Sequence, residues 1–123
     1  MTGWEELDDF CRAWGINIGP PRIGQTTGGA HVTGSNHYKG LARDYGDADS
    51  DCWAVASALL PFTDLLLELY FAPMGIWHPR NAGGHRDHVH AAIRPGVSLP
   101  RPPIPQKPPD PWADLFVPIL IGG

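Results

Sequence analysis

The sequence predicts a single small domain of mixed α and β structure, followed by an extended proline-rich arm. Three observations predict it. A chain of 123 residues has room for one core and not for two. Segments of helical periodicity alternate with short runs of strand character across glycine-rich connectors. Composition then changes once, from Pro95 onward, where "PGVSLPRPPIPQKPPDP" carries most of the prolines. Proline removes backbone donors and fixes φ, so this stretch is expected to run extended outside any packed core. The expected division is a domain over residues 1–96 and an arm over residues 97–123.

Thr2 and Glu5 have the spacing of a capping box, and Trp4, Leu7, Cys11 and Trp14 recur at helical intervals until Gly15. A first helix is expected over about residues 3–14. Residues 41–45 read as a strand. The run "DCWAVASALL" reads as a second helix capped by Asp49 or Ser50, and Pro61 interrupts it before "FTDLLLELYF" resumes as a third. Two further strands are expected near residues 75–78 and over "HVHAAI" at 88–93. Trp53, Leu65, Leu66 and Leu69 read as core.

The formal net charge of -4, with scattered basic residues, offers no basic stripe to a phosphate backbone, so nucleic acid is not an expected partner. No stretch reaches the roughly 18 uninterrupted apolar residues of a membrane span, and the acidic start "MTGWEELDDF" is unlike a signal peptide. Cys11 and Cys52 are too few for a disulfide framework and read as small core residues.

The stretch "SNHYKGLARD" at 35–44 places a histidine, a glycine and an aspartate within ten residues, and "HRDHVH" follows some forty residues later. Alternation along a strand at 41–45 puts Asp44 on one face with Ala42, and Gly40 permits a turn that folds His37 back over that face. In "HVHAAI" the same rule aims His88, His90 and Ala92 one way. Pairing the two strands would gather His37, Asp44 and His90. Zinc takes imidazole nitrogen and carboxylate oxygen at about 2.0 to 2.2 Å, and a catalytic site offers three protein ligands with a fourth position open. Asp87, three residues before His90, is the carboxylate expected to move the proton, or else to support a ligating imidazole. His31 and His85 either line the cleft or sit in solvated loops, and Tyr38 and Trp77 either flank a peptide groove or pack.

"SNHYKGLARD" resembles, at every fixed position, the S-x-H-x-x-G-x-A-x-D signature of the zinc D-Ala-D-Ala peptidases, the superfamily that includes Hedgehog-like domains and many phage lysins. "DHVH" is similar to its closing motif, and the resemblance spans about residues 25–94. It implies an α+β fold, a small antiparallel sheet with helices packed on one side. It implies Zn2+ held by His37, Asp44 and His90, with Asp87 as general base and His88 stabilising the tetrahedral intermediate. It implies D-Ala-containing stem peptides of peptidoglycan as substrate. This chain departs from the family in having Trp77-His78 well before the closing motif and the shorter Asp as the acid. The arginine that grips the substrate carboxylate has no signature here, with Arg22, Arg80 and Arg86 as candidates.

A wall-cleaving enzyme without an export signal fits a phage product, and the resemblance extends to the small peptidase-like minor tail proteins of actinobacterial phages. The expected location is the virion, at the bacterial cell wall. The arm's apolar tip, with Trp112, Leu115, Phe116, Ile119 and Leu120, is expected to dock on another tail protein. The alternative to the enzyme is a structural tail component that keeps the fold, with zinc as a staple.

Overall fold

The computed structural model describes residues 3–103. Thr2 of the expected capping box and the arm from residue 104 onward, including its apolar tip, lie outside the described residues.

The fold is α+β, with two α-helices and a four-stranded antiparallel sheet. In chain order the elements are α1 (Trp4–Ala13), β1 (Ala42–Gly46), α2 (Cys52–Leu59), β2 (Leu66–Phe71), β3 (Ile76–His78) and β4 (His88–Ile93), with a 3-10 segment at Leu60–Leu65. The sheet order is β1-β4-β2-β3, and every neighbouring pair is antiparallel. Helical periodicity places Leu7, Phe10 and Cys11 of α1 against the sheet, and α2 adds Cys52, Val55, Ala56 and Leu59. Tyr45, Leu69, Phe71, Val89, Ala91 and Ile93 meet them from the strands, so one face of the sheet carries the core. Both cysteines are buried and free.

The expected third helix is not formed. After Pro61 the chain makes 3-10 turns and then enters β2, between β4 and β3. An apolar run of this length cannot be assigned to helix or strand by periodicity, and "LLELYF" carries Tyr and Phe that suit a pleated surface paired on both edges. The cap of α2 is Asp51, whose carboxylate accepts from the Ala54 amide at 3.1 Å. Neither Asp49 nor Ser50 caps it, because the Ser50 hydroxyl is taken by the Gly19 amide at 2.8 Å. Trp53, expected in the core, is 56% exposed and only meets Phe71 of β2 edge-on at the margin of the core. Leu66 and Leu69 are fully buried as expected.

One irregularity decides which way β2 points its side chains. Leu66 pairs with Ile93, yet Glu68 pairs with Ala92, so β2 carries one extra residue between them. Such a bulge reverses the alternation of side chains along the strand. Leu66 therefore packs in the core, while Glu68 and Tyr70 fall on the face that bears His90.

Residues 97–101, the first of the expected arm, lie along α1. Leu99 is buried, its amide donates to Glu6 at 2.7 Å, and Arg101 reaches both Glu6 and Asp9 at 2.8 Å. The Trp14 indole donates to the Pro100 carbonyl at 3.0 Å. No helix among the described residues is long and apolar enough to cross a membrane.

Candidate metal centre

The face of the sheet away from the helices carries a cleft of about 540 Å³, walled by residues 30–37 and by Asp44, Glu68, Tyr70, Arg80, His85 and His90. Three strands, β1, β4 and β2, supply its floor. Antiparallel register sets Asp44 of β1 directly opposite His90 of β4, as alternation predicts. His37 arrives from the loop before β1, where Gly40 at φ 73° takes the left-handed conformation that turns the chain into the strand.

Around Asp44 the contacts are short. His37 Nε2 lies 3.2 Å from Asp44 Oδ2, and His90 Nδ1 lies 2.9 Å from Asp44 Oδ1. His37 Nδ1 faces the Thr26 carbonyl at 2.7 Å, and a carbonyl only accepts, so Nδ1 carries a proton. In a neutral His37 ring, Nε2 then presents a lone pair to a carboxylate. His90 has a carboxylate at each nitrogen, because its Nε2 lies 2.8 Å from Glu68 Oε1. Burial alone would push the Asp44 carboxyl up, but the hydrogen bonds from His37 and His90 outweigh it and hold the group well below the usual carboxylate range. Burial likewise works against a charged His90, yet Asp44 and Glu68 raise it to about 9. The His90 hydrogen bond, opposed by burial and helped by Asn36, holds Glu68 down at about 2.

This donor set suits a divalent cation. Zinc takes such nitrogen and oxygen donors, and here His37 and His90 approach different oxygens of Asp44, at 3.2 and 2.9 Å. A second trio, His31, His37 and Asp44, has its donor atoms within 4.8 Å of one another. Ring geometry separates the two sets. The His31 and His37 rings are stacked at 3.8 Å and 9°, so their planes barely intersect, and imidazole lone pairs lie in the ring plane. One ion cannot sit in both planes without tilting a ring. The His37 and His90 rings are inclined at 60°, so both can aim at one point. His31 Nε2 faces the Gly28 carbonyl at 2.8 Å, which leaves Nδ1 as its open nitrogen. By distance, His31, His37 and Asp44 are the trio that meets among the described residues, while ring inclination favours His37 with His90, which adjoins Asp44 through its other oxygen.

The other candidate residues are scattered around this centre. His88 lines the cleft and donates from Nδ1 to Asp87 at 2.8 Å, which leaves Nε2 as its open nitrogen. The Asp87 carboxylate is 79% exposed, lies outside the residues that line the cleft, and is lowered by its hydrogen bond to His88. His31 and His85 both line the cleft, where burial lowers His85. The Tyr38 hydroxyl receives the His31 amide and donates to the Gly29 carbonyl, which shapes the loop. Trp77 packs on Tyr70. Of the three candidate arginines, Arg80 lines the cleft and Arg22 pairs with Asp49 at 3.2 Å. Sequence reasoning missed Glu68 altogether. Its signal was a single acid in the apolar run "LLELYF", a place where a carboxylate needs a partner.

Comparison of the chain with protein-family models, with curated proteins and with solved structures returns no match.

Proposed function

We propose that the protein is a zinc-dependent peptidase that hydrolyses D-Ala-containing stem peptides of peptidoglycan, as part of a phage tail acting on the bacterial cell wall. One observation carries the reading. The two oxygens of Asp44 face His37 Nε2 and His90 Nδ1, while each ring's other nitrogen is tied to an acceptor, which is how protein ligands are held ready for a cation. The choice of substrate and of virion rests on the resemblance of "SNHYKGLARD" and "DHVH" to the D-Ala-D-Ala peptidases and their phage-tail relatives.

His37, Asp44 and His90 would hold the ion, and zinc bound there would polarise a peptide carbonyl and acidify a water. Asp87 is assigned the proton, taking it from water and passing it to the leaving amine. His88, fixed by Asp87 through Nδ1, offers Nε2 to the developing oxyanion. Arg80, which lines the cleft, is the arginine assigned to a substrate carboxylate.

The second reading is a structural tail protein that keeps zinc as a staple. Its support is the placement of Asp87, exposed and outside the residues that line the cleft. Metal analysis together with cleavage of synthetic stem peptides separates the two. The enzyme binds one zinc per chain, His37→Ala loses it, and Asp87→Asn keeps it while turnover falls by about 10² to 10⁴. Stoichiometric zinc with no cleavage of any stem peptide favours the staple, and full zinc in His37→Ala overturns the ligand set.

A further inference from the structure

The cleft holds a carboxylate that the proposed chemistry leaves without a task. Glu68 approaches His90 from the side opposite Asp44, with Oε1 at 2.8 Å from Nε2. It is itself held from two further directions. The Asn36 amide donates to the same Oε1 at 2.9 Å, and the Tyr70 hydroxyl donates to Oε2 at 3.3 Å. The β2 bulge is what turns Glu68 to this face, since unbroken alternation from the buried Leu66 would have sent its side chain into the core.

A carboxylate with donors on both oxygens is poorly disposed to take a proton from water, so Glu68 is not a second candidate base. Its geometry suits a different role. An imidazole bound to a metal through one nitrogen donates from the other, and a fixed acceptor there sets the tautomer, orients the ring and makes it a better ligand. We infer that Glu68 is a positioning residue that holds the proton of His90 on Nε2 and so presents Nδ1 to the ion beside Asp44, with Asn36 and Tyr70 fixing Glu68 in turn. Asn36 lies within the first motif, so the loop that supplies His37 also braces the ring of His90. Thr26 does the corresponding work for His37, whose Nδ1 it takes with a backbone carbonyl. Each histidine of the site thus has an acceptor behind it.

The inference rests on the zinc reading, and the test keeps the two apart. Zinc is titrated into the full chain against a competing chelator, and cobalt(II) substituted at the site reports ligand geometry by its visible absorption. Wild type binds tightly and His37→Ala does not. Glu68→Gln, nearly the same shape, keeps its far-UV circular dichroism but binds zinc about 10- to 100-fold more weakly, with altered cobalt bands. Asn36→Ala, which removes one of the donors that fix Glu68, shows a smaller loss in the same direction and carries the test if Glu68→Gln does not fold. Tight zinc in wild type with unchanged affinity and spectrum in both variants overturns the positioning role and leaves the zinc reading standing. No zinc in wild type overturns both.

Discussion

β1 presents a charge to each side of the sheet, buried Arg43 to one and half-buried Asp44 to the other, and the two sides are satisfied in different ways. On the core side the Arg43 guanidinium, 1% exposed, donates to Asp8 at 2.9 Å, to the Gly19 carbonyl at 2.8 Å, to Gln25 at 3.1 Å and to the Asp44 carbonyl at 2.6 Å. The Tyr45 hydroxyl adds a bond to the same Asp8 oxygen at 2.7 Å, and Arg12 stands 3.8 Å from the other. Cation and anion pair within the protein, although Asp8 Oδ2 is buried without a hydrogen-bond partner. On the cleft side the acceptors outnumber the protons of neutral rings, because the Thr26 carbonyl, Asp44 and Glu68 all address two histidines. That side closes only with added positive charge, as protons or as a metal ion. The lesson is that the core-side charges are held by fixed protein groups and tie elements together, whereas the cleft-side network depends on a positive charge that pH or a bound ion can change.

The largest expected effect comes from breaking the core side. Arg43→Ala leaves the Asp8 carboxylate, 2% exposed, without its main partner, and removing one member of a buried pair costs about 3–5 kcal/mol. Urea unfolding of the variant checks this, and the loss is expected to be the same at pH 6 and pH 9 because the guanidinium does not titrate there. A loss under about 1 kcal/mol would mean that the Arg43 network does not hold α1 to β1.

The two sides were also unequally legible in the sequence. Alternation alone placed Asp44 and His90 on one face, and the register sets them directly opposite each other. Gly40 marked the turn that brings His37. Three things were hidden. The Thr26 carbonyl is a backbone group that any residue could supply, so no side chain announces it. Glu68 stood in a run read as helix, and even the correct strand would have sent it to the wrong face without the bulge, which is a property of pairing rather than of the run itself. Arg43 and Asp8 lie 35 residues apart, and nothing local links them. Two-residue periodicity was enough for β1 and β4, and long-range acceptors were not readable.

The intermediate effect is a pH dependence on the cleft side alone. In protein stripped of metal, His90 binds its proton up to about pH 9, against 6.5 in the unfolded chain. The stabilisation is therefore complete below 6.5 and lost as pH rises toward 9, in all roughly 3 kcal/mol. Glu68, lowered from 4.5 to about 2, contributes stability above 4.5 that is lost as pH falls toward 2. Unfolding free energy measured in the presence of chelator should accordingly be greatest between about pH 4.5 and 6.5 and decline on the alkaline side. His90→Ala should flatten that decline, and saturating zinc should remove it, since the metal takes over the role of the proton. An alkaline decline that persists unchanged in His90→Ala would assign it to another group.

The smallest effect offers the closest comparison, because one chemical change can be made on each side of the sheet. Tyr45 and Tyr70 both donate a hydroxyl to a carboxylate, and replacing either by Phe removes one oxygen and nothing else. Tyr45 is fully buried, its bond to Asp8 is 2.7 Å long, and Asp8, 2% exposed, is closed to solvent that could take the vacated place. A hydrogen bond to a buried charge is worth about 1.5–3 kcal/mol, so Tyr45→Phe should fall in that range. The Tyr70 bond to Glu68 is longer, at 3.3 Å, and Glu68 is partly open to the cleft, where water can replace the lost donor. Tyr70→Phe should cost less than about 1 kcal/mol of stability. Equal costs by denaturant unfolding would show that the cleft-side carboxylate is as tightly enclosed as Asp8, and the contrast between the core-side charges and the cleft-side network would lose its energetic basis.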